Sequence, residues 1–237
     1  MAQPRPKRAK RPECGALQTL RDICRVTMRC SAALRLSRHF NALTLMQPVP
    51  QTTTPAPKLR VATVWLGGCS GCHMSFLDLD EFLIELAGKI EIVYSPVVDV
   101  KEYPENVDVC LIEGAVCNED NLELLHKIRR RTKVLVSFGD CAITANVPAI
   151  RNQLGLGNAE SVLQRAYVEG AQSNPGVPRE PGIVPALLEL VLPVHEVVYV
   201  NYFLPGCPPP ADRIKAFLTQ VLSGAEPKLE GPQLKFG

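Results

Sequence analysis

The chain has 237 residues, 46% of them hydrophobic and 5% aromatic, with 26 Lys and Arg against 24 Asp and Glu, 21 prolines and nine cysteines. This composition is that of a globular protein and excludes collagen-like and wholly disordered chains. No apolar stretch reaches the roughly 18 residues of a spanning helix, since even Ile183 to Val194 is cut by Pro185, Glu189 and Pro193; neither integral membrane association nor nucleic-acid binding is expected.

The near-neutral total hides two different objects. Residues 1 to 57 carry ten Lys and Arg and two acids, a net +8, whereas residues 58 to 237 carry 16 and 22, a net −6. The first is expected to be a basic, flexible extension ending in the Pro/Thr linker Gln47 to Pro57, whose prolines cannot join a ladder. Its Arg-rich, acid-poor composition suits a transit peptide, an upstream extension before a start at Met46, or an arm that docks on an acidic partner. The second is long enough for one well-filled core.

In chain order, Leu59 to Leu66 reads as a strand, Gly67-Gly-Cys-Ser-Gly-Cys72 as a loop, and about Ser75 to Ala87 as a helix with Phe76, Leu79, Phe82, Leu83 and Leu86 on one side. Glu91 to Val98 and Val107 to Glu113 read as the next two strands. A helix follows, with Asn118 as its cap, Glu119 and Asp120 at its positive end and Arg129 to Arg131 at its negative end. Lys133 to Phe138 and Glu196 to Leu204 complete five strands, and a last helix runs near Ala211 to Leu222. Almost continuously apolar strands alternating with helices predict an α/β fold, a flavodoxin-like doubly wound parallel sheet. Gly155 to Val194 fits less well, with one helix (Ala159 to Glu169) and a Pro-Gly-rich loop, and such a long excursion is expected to cover a site or a partner.

The cysteines fall where this fold concentrates ligands. Cys69 and Cys72 follow the first strand, Cys141 the fourth and Cys207 the fifth, so all three loops leave carboxyl ends of strands and can converge on one edge. Four thiolates are the ligand set of an iron-sulfur cluster, and backbone N–H groups brought close by Gly68, Gly71 and Gly206 suit its sulfurs. Three other chemistries compete. A Cys-x-x-Cys dithiol needs two cysteines and leaves Cys141 and Cys207 without a task. Structural zinc favours two close pairs, and the second pair here is split across the chain. Disulfides require an oxidising compartment, and no signal-like apolar region follows the early basic residues. Cys110 reads as a buried strand residue, Cys117 as an alternative ligand after a strand end, and Cys14, Cys24 and Cys30 as bystanders. His73 is placed either on the cluster or a partner or in an exposed loop, His195 in a structural role at the opposite end, and Trp65 in packing.

Gly68-Cys-Ser-Gly-Cys72 with Ser75-Phe-Leu-Asp78, Glu113-Gly114, Gly139-Asp-Cys141 with Pro148-Ala-Ile-Arg-Asn152, and Asn201-Tyr-Phe-Leu-Pro-Gly-Cys-Pro-Pro209 together resemble the small subunit of nickel-iron hydrogenases, over residues 59 to 224. The resemblance implies that Cys69, Cys72, Cys141 and Cys207 ligate one proximal 4Fe-4S cluster, that the nickel-iron site lies on a separate large subunit, and that this chain has no catalytic residue of its own. The absence of further cysteines after Cys207 is most similar to the short, cytoplasmic NAD-reducing branch, in which a diaphorase module with flavin and further clusters handles NAD. No Gly-x-Gly-x-x-Gly fingerprint occurs in the chain, in keeping with NAD binding elsewhere. Met74 stands where longer relatives have a glutamate, so no proton-transfer role is carried over. Deazaflavin-linked and heterodisulfide-linked hydrogenases share the short architecture. The complex I subunit resembles it more distantly, having adjacent cysteines in the first loop, and a cluster-based redox sensor is a further reading. FMN is a weak expectation, because the cysteine loop occupies the place of a phosphate loop.

Overall fold

The structure is a computed structural model that describes residues 57 to 234. The basic extension, with Cys14, Cys24 and Cys30, lies outside the described residues apart from Pro57.

Five parallel strands form the main sheet in the order β2-β1-β3-β5-β7. They are β1 (Leu59–Trp65), β2 (Ile90–Tyr94), β3 (Val107–Glu113), β5 (Thr132–Phe138) and β7 (Tyr202–Leu204). The order reverses direction between β1 and β3, the crevice at which doubly wound sheets bind ligands. A second, antiparallel pair is made by β4 (Val116–Asn118) and β6 (Leu187–Leu192).

The period-two alternation of the strands divides the core between two faces. Val61, Val109, Leu111, Val136 and Phe138 point to one face, where they meet Phe82 and Leu86 of α2 (Phe82–Lys89) and Ile214, Phe217 and Leu218 of α7 (Ala211–Leu222). Ala62, Val64, Cys110, Ile112 and Leu135 point to the other, against Leu125 and Ile128 of α3 (Glu119–Arg131) and Val194 of the short α6 (Val194–Val197). The remaining helices are α1 (Gly71–Leu77), α4 (Asp140–Thr144) and α5 (Asn158–Gln164). Among the described residues no helix is long and apolar enough to cross a membrane.

The predicted cap of α3 is formed, with the Asn118 side chain accepting from the Asn121 N–H at 2.8 Å. Two expectations need correction. The single helix Ser75 to Ala87 is two helices: α1 begins at Gly71, and Asp80, at φ 48°, breaks the run before α2. Asp78 and Asp80 at the negative end of α1 oppose its dipole, and Asp tolerates the left-handed turn. The fifth strand starts at Tyr202 rather than Glu196, because Asn201 replaces the ladder with its side chain: Leu135 N donates to Asn201 Oδ1 and Asn201 N donates to Leu135 O, both at 2.9 Å. His195 therefore lies in α6, edge-on to Phe203 with ring centroids 5.6 Å apart. The excursion after Gly155 is tied to the segment before it. Asn152 holds Val191 with two hydrogen bonds of 2.9 Å, and Arg151 reaches the carbonyls of Cys117, Leu188 and Glu189.

Candidate functional site

At the carboxyl edge of the sheet a cavity of about 70 Å³ is lined by Cys69, Gly71, Cys72, Glu113, Asp140, Cys141, Gly206, Cys207 and Pro208. The four cysteines expected to converge come from three loops and meet around this one space. Cys72 and Cys141 are each the second residue of a helix, α1 and α4, while Cys69 and Cys207 are exposed on the loops. Cys110 is buried inside β3, and Cys117 is half-buried in β4 and does not line the cavity.

Backbone shape makes this convergence possible. Gly139 has φ 86°, and a Cβ there would fall 2.2 Å from the Cys72 sulfur. Gly206 has φ 136°, and its Cβ would fall 2.4 Å from the Cα of Pro209. Neither position admits a side chain without moving a cysteine-bearing segment. Two consecutive residues after α4, Ala145 at φ 61° and Asn146 at φ 22°, are also left-handed without being glycine, a strain of about 1–3 kcal/mol each.

The loops are tied to one another by polar side chains. The buried Asp140 carboxylate accepts the Gly206 N–H at 2.6 Å, and the Asp140 N–H donates to the Gly206 carbonyl at 2.9 Å, which clamps the Cys141 and Cys207 loops together. Ser75 Oγ donates to the Pro209 carbonyl at 2.5 Å, which fixes α1 to the same loop. His73 does not lie in an exposed loop. It is buried, its N–H donates to Glu113 Oε2 at 3.0 Å, and its Nδ1 lies 2.6 Å from the same oxygen. The rings of Trp65 and Phe138 flank it at 5.3 and 6.1 Å between centroids. Trp65 itself is 40% exposed, so it covers His73 rather than filling the core.

Pattern reading assigns no role to Asp140, Ser75 or Glu113, and it does not pair His73 with Glu113. Glu113 carries the one signal that could have found it, a charge closing the otherwise apolar strand Val107 to Ile112. For the others the signal is tertiary, since each bond joins segments 40 to 134 positions apart.

The electrostatics restrict what the cavity can hold. Burial, then Glu113, then each of the other three cysteines pushes the Cys72 thiol well above its ordinary range. Burial, followed by Cys207 and Cys69, pushes Cys141 up to about 11. Four thiolates beside a carboxylate repel one another and ionise together only around a positively charged occupant. Among the described residues no group of three or more Cys, His, Asp or Glu is placed to hold a single metal ion. Thiols spread around a cavity, rather than gathered on a point, fit a polynuclear iron-sulfur cluster better than tetrahedral zinc.

Comparison with known proteins gives a consistent result. The family model described as NADH ubiquinone oxidoreductase, 20 Kd subunit, matches residues 69–221. The NAD-reducing hydrogenase HoxS subunit delta of Cupriavidus necator is 42% identical over 171 residues, 70% of this chain and 80% of that subunit. A vhu subunit of the F420-non-reducing hydrogenase of Methanocaldococcus jannaschii is 39% identical over 72% of this chain, which spans 58% of that subunit's length. A chain of a crystal structure of NAD+-reducing NiFe hydrogenase in the H2-reduced state superposes with a TM-score of 0.71 at 45% identity, over 76% of this chain and 100% of that one. The chain belongs to the family of the NADH ubiquinone oxidoreductase 20 Kd subunit and, within it, to the hydrogenase small subunits.

Proposed function

We propose that this chain is the electron-transferring small subunit of a cytoplasmic, NAD-reducing nickel-iron hydrogenase, with one proximal 4Fe-4S cluster held by Cys69, Cys72, Cys141 and Cys207. The observation that carries the reading is the meeting of these four thiols, from the ends of three parallel strands, around one cavity. When bound, a 4Fe-4S cluster supplies a one-electron store whose potential the protein tunes.

The chain's own residues supply orientation and environment. Gly139 and Gly206 let two loops close on the cavity without side chains in the way. Asp140 and Ser75 fix the relative positions of α1, α4 and the Cys207 loop. Glu113, nearly fully buried at the cavity wall, accepts the His73 N–H and meets the His73 ring nitrogen, which ties α1 to the end of β3.

The partners in this reading are a large subunit with the nickel-iron site and diaphorase subunits that bind flavin and NAD. FMN has no part in it on this chain, because the loop after β1 at the reversal point of the sheet presents Cys69 and Cys72 in place of phosphate ligands. The resemblance to hydrogenases named for not reducing F420 favours one alternative acceptor arrangement, in which the same small subunit passes electrons to a different module.

The test is anaerobic purification of the full chain with whatever binds it, followed by iron, acid-labile sulfide and EPR analysis and a hydrogen-dependent NAD+ reduction assay. About four irons and four sulfides per chain are expected, with nickel on the large partner and NAD+ reduced at the expense of hydrogen. Zinc or no metal would overturn the ligand set, and a loaded complex inert toward NAD+ would overturn the acceptor.

A further inference from the structure

The turn after Cys141 is strained and anchored at once. Ala145 and Asn146 have φ of 61° and 22°, and Asn146 has ψ −123°. Strain of this kind persists where surrounding contacts over-determine it, and it concentrates at functional sites. Here the anchor is the antiparallel pair: Ala145 is buried with Ala115 and Val191, and Val191 is held by both ends of the Asn152 amide. The long excursion thereby fixes the turn from below.

What the turn presents on its other side is a side-chain N–H donor to sulfur. Asn146 Nδ2 donates to Cys207 Sγ at 3.7 Å, across 61 positions of sequence. A ligating thiolate has no proton to give, so it requires the donor end of the Asn146 amide to face it. An N–H aimed at a ligand sulfur stabilises the added negative charge of the reduced state, and such bonds set iron-sulfur potentials.

We propose that Asn146 is a potential-setting positioning residue, whose side-chain N–H to Cys207 raises the reduction potential of the group the four cysteines hold. The inference rests on the ligand set proposed above and goes beyond it, since it assigns a task to a residue that is neither ligand nor loop glycine.

The experiment is an EPR-monitored redox titration of the complex containing the full chain, with iron and sulfide content read first on each sample. Asn146→Gly tolerates the left-handed backbone and removes the donor. It should keep full iron content and shift the midpoint to lower potential by about tenfold in the reduction equilibrium, about 59 mV for one electron. Asn146→Asp, with a carboxylate against the sulfur, should shift it further in the same direction. Ala145→Gly relieves strain but keeps the donor and should leave the midpoint in place. An unshifted midpoint in a fully loaded N146G protein overturns the proposal, as does an equal shift in A145G. Loss of iron from N146G and N146D alike makes Asn146 a structural residue and overturns it too. An iron-free wild-type protein overturns the ligand set itself, a failure seen before any titration begins.

Discussion

Cys69 and Cys72 reach the cavity on a loop of glycines, whereas Cys207 reaches it on a loop of prolines, and the two loops are held by different forces. The glycine loop is fixed by close backbone approach: Gly67 exchanges hydrogen bonds of 2.8 and 2.9 Å with Ala115, and a Cβ on Gly68 would lie 3.2 Å from the Cα of Gly114. The proline loop has few donors of its own, and side chains sent from elsewhere hold it, Asp140 on Gly206 N, Ser75 on the Pro209 carbonyl and Arg213 on the Pro205 carbonyl. The first loop is therefore sensitive to atoms added within it. The second, which admits no side chain at Gly206 either, is sensitive also to atoms removed from α1, α4 and α7.

The largest test asks whether the loops serve a common occupant at all. Under the proposed ligand set, Cys207→Ser and Cys69→Ser should each abolish or severely reduce bound iron, one on each loop. Cys110→Ser and Cys117→Ser should retain it, since neither residue lines the cavity. Iron and sulfide analysis of the four purified variants decides; equal iron loss in all four would dissolve the distinction between ligands and bystanders.

The two loops also differ in how far the chain announces them. Val107 to Glu113 and Ala211 to Leu222 are legible as elements to the residue, because a continuous apolar run and an amphipathic period are local signals. Asn118 is legible as a cap for the same reason. The cysteine positions at strand ends follow once the strands are known. What is not legible depends on distant pairing. β4 has three residues and exists by its pairing with Leu187–Leu192, so neither segment declares itself as a strand. The early end of β7 is replaced by the Asn201 side chain, which an apolar run from Val197 to Val200 conceals. His73 looks like a loop residue until Glu113, 40 positions away, buries it. The glycine loop could be recognised from its own composition, but the side chains that secure the proline loop could not.

A second test addresses added atoms. Gly67→Ala would bring a Cβ within 2.1 Å of the Cys117 sulfur and 3.1 Å of the Ala115 carbonyl. Overpacking of this kind costs about 1–3 kcal/mol. Because the nearest atom is the end of a side chain, Gly67→Ala combined with Cys117→Ala should recover part of that loss, the Cβ of residue 117 remaining 3.0 Å away, and give a coupling beyond additivity. Urea midpoints of the two single variants and the double variant make the cycle; strict additivity would mean that Cys117 is not what excludes a side chain there.

A third test addresses removed atoms. Ser75→Ala deletes the hydroxyl that donates to the Pro209 carbonyl at 2.5 Å in a buried setting. It should cost about 1 kcal/mol of stability, with iron retained but lost faster under an iron chelator, because the Cys207 loop is freer to open. A Ser75→Ala protein with wild-type stability and iron release would show that the prolines alone hold the loop.

The smallest effect concerns the sheet from which both loops hang. Cys110 is fully buried in β3, and burial pushes its thiol up to about 12 from an ordinary 9.0. The folded state therefore keeps a proton that the unfolded chain releases above pH 9, so stability from this group is complete below pH 9 and declines as pH rises toward 12. Between pH 8 and 9.5 the decline is about 0.8 kcal/mol. Tyr103 and Cys72, also raised mainly by burial, act in the same direction, so the measurement is a difference: reduced apo-protein unfolded by urea across this range, wild type against Cys110→Ala. The variant starts lower because it leaves a small cavity, but its stability should fall less steeply with pH. Parallel slopes would mean that Cys110 meets water in the folded protein, and that the sheet under the two loops is not the rigid common base on which their contrast depends.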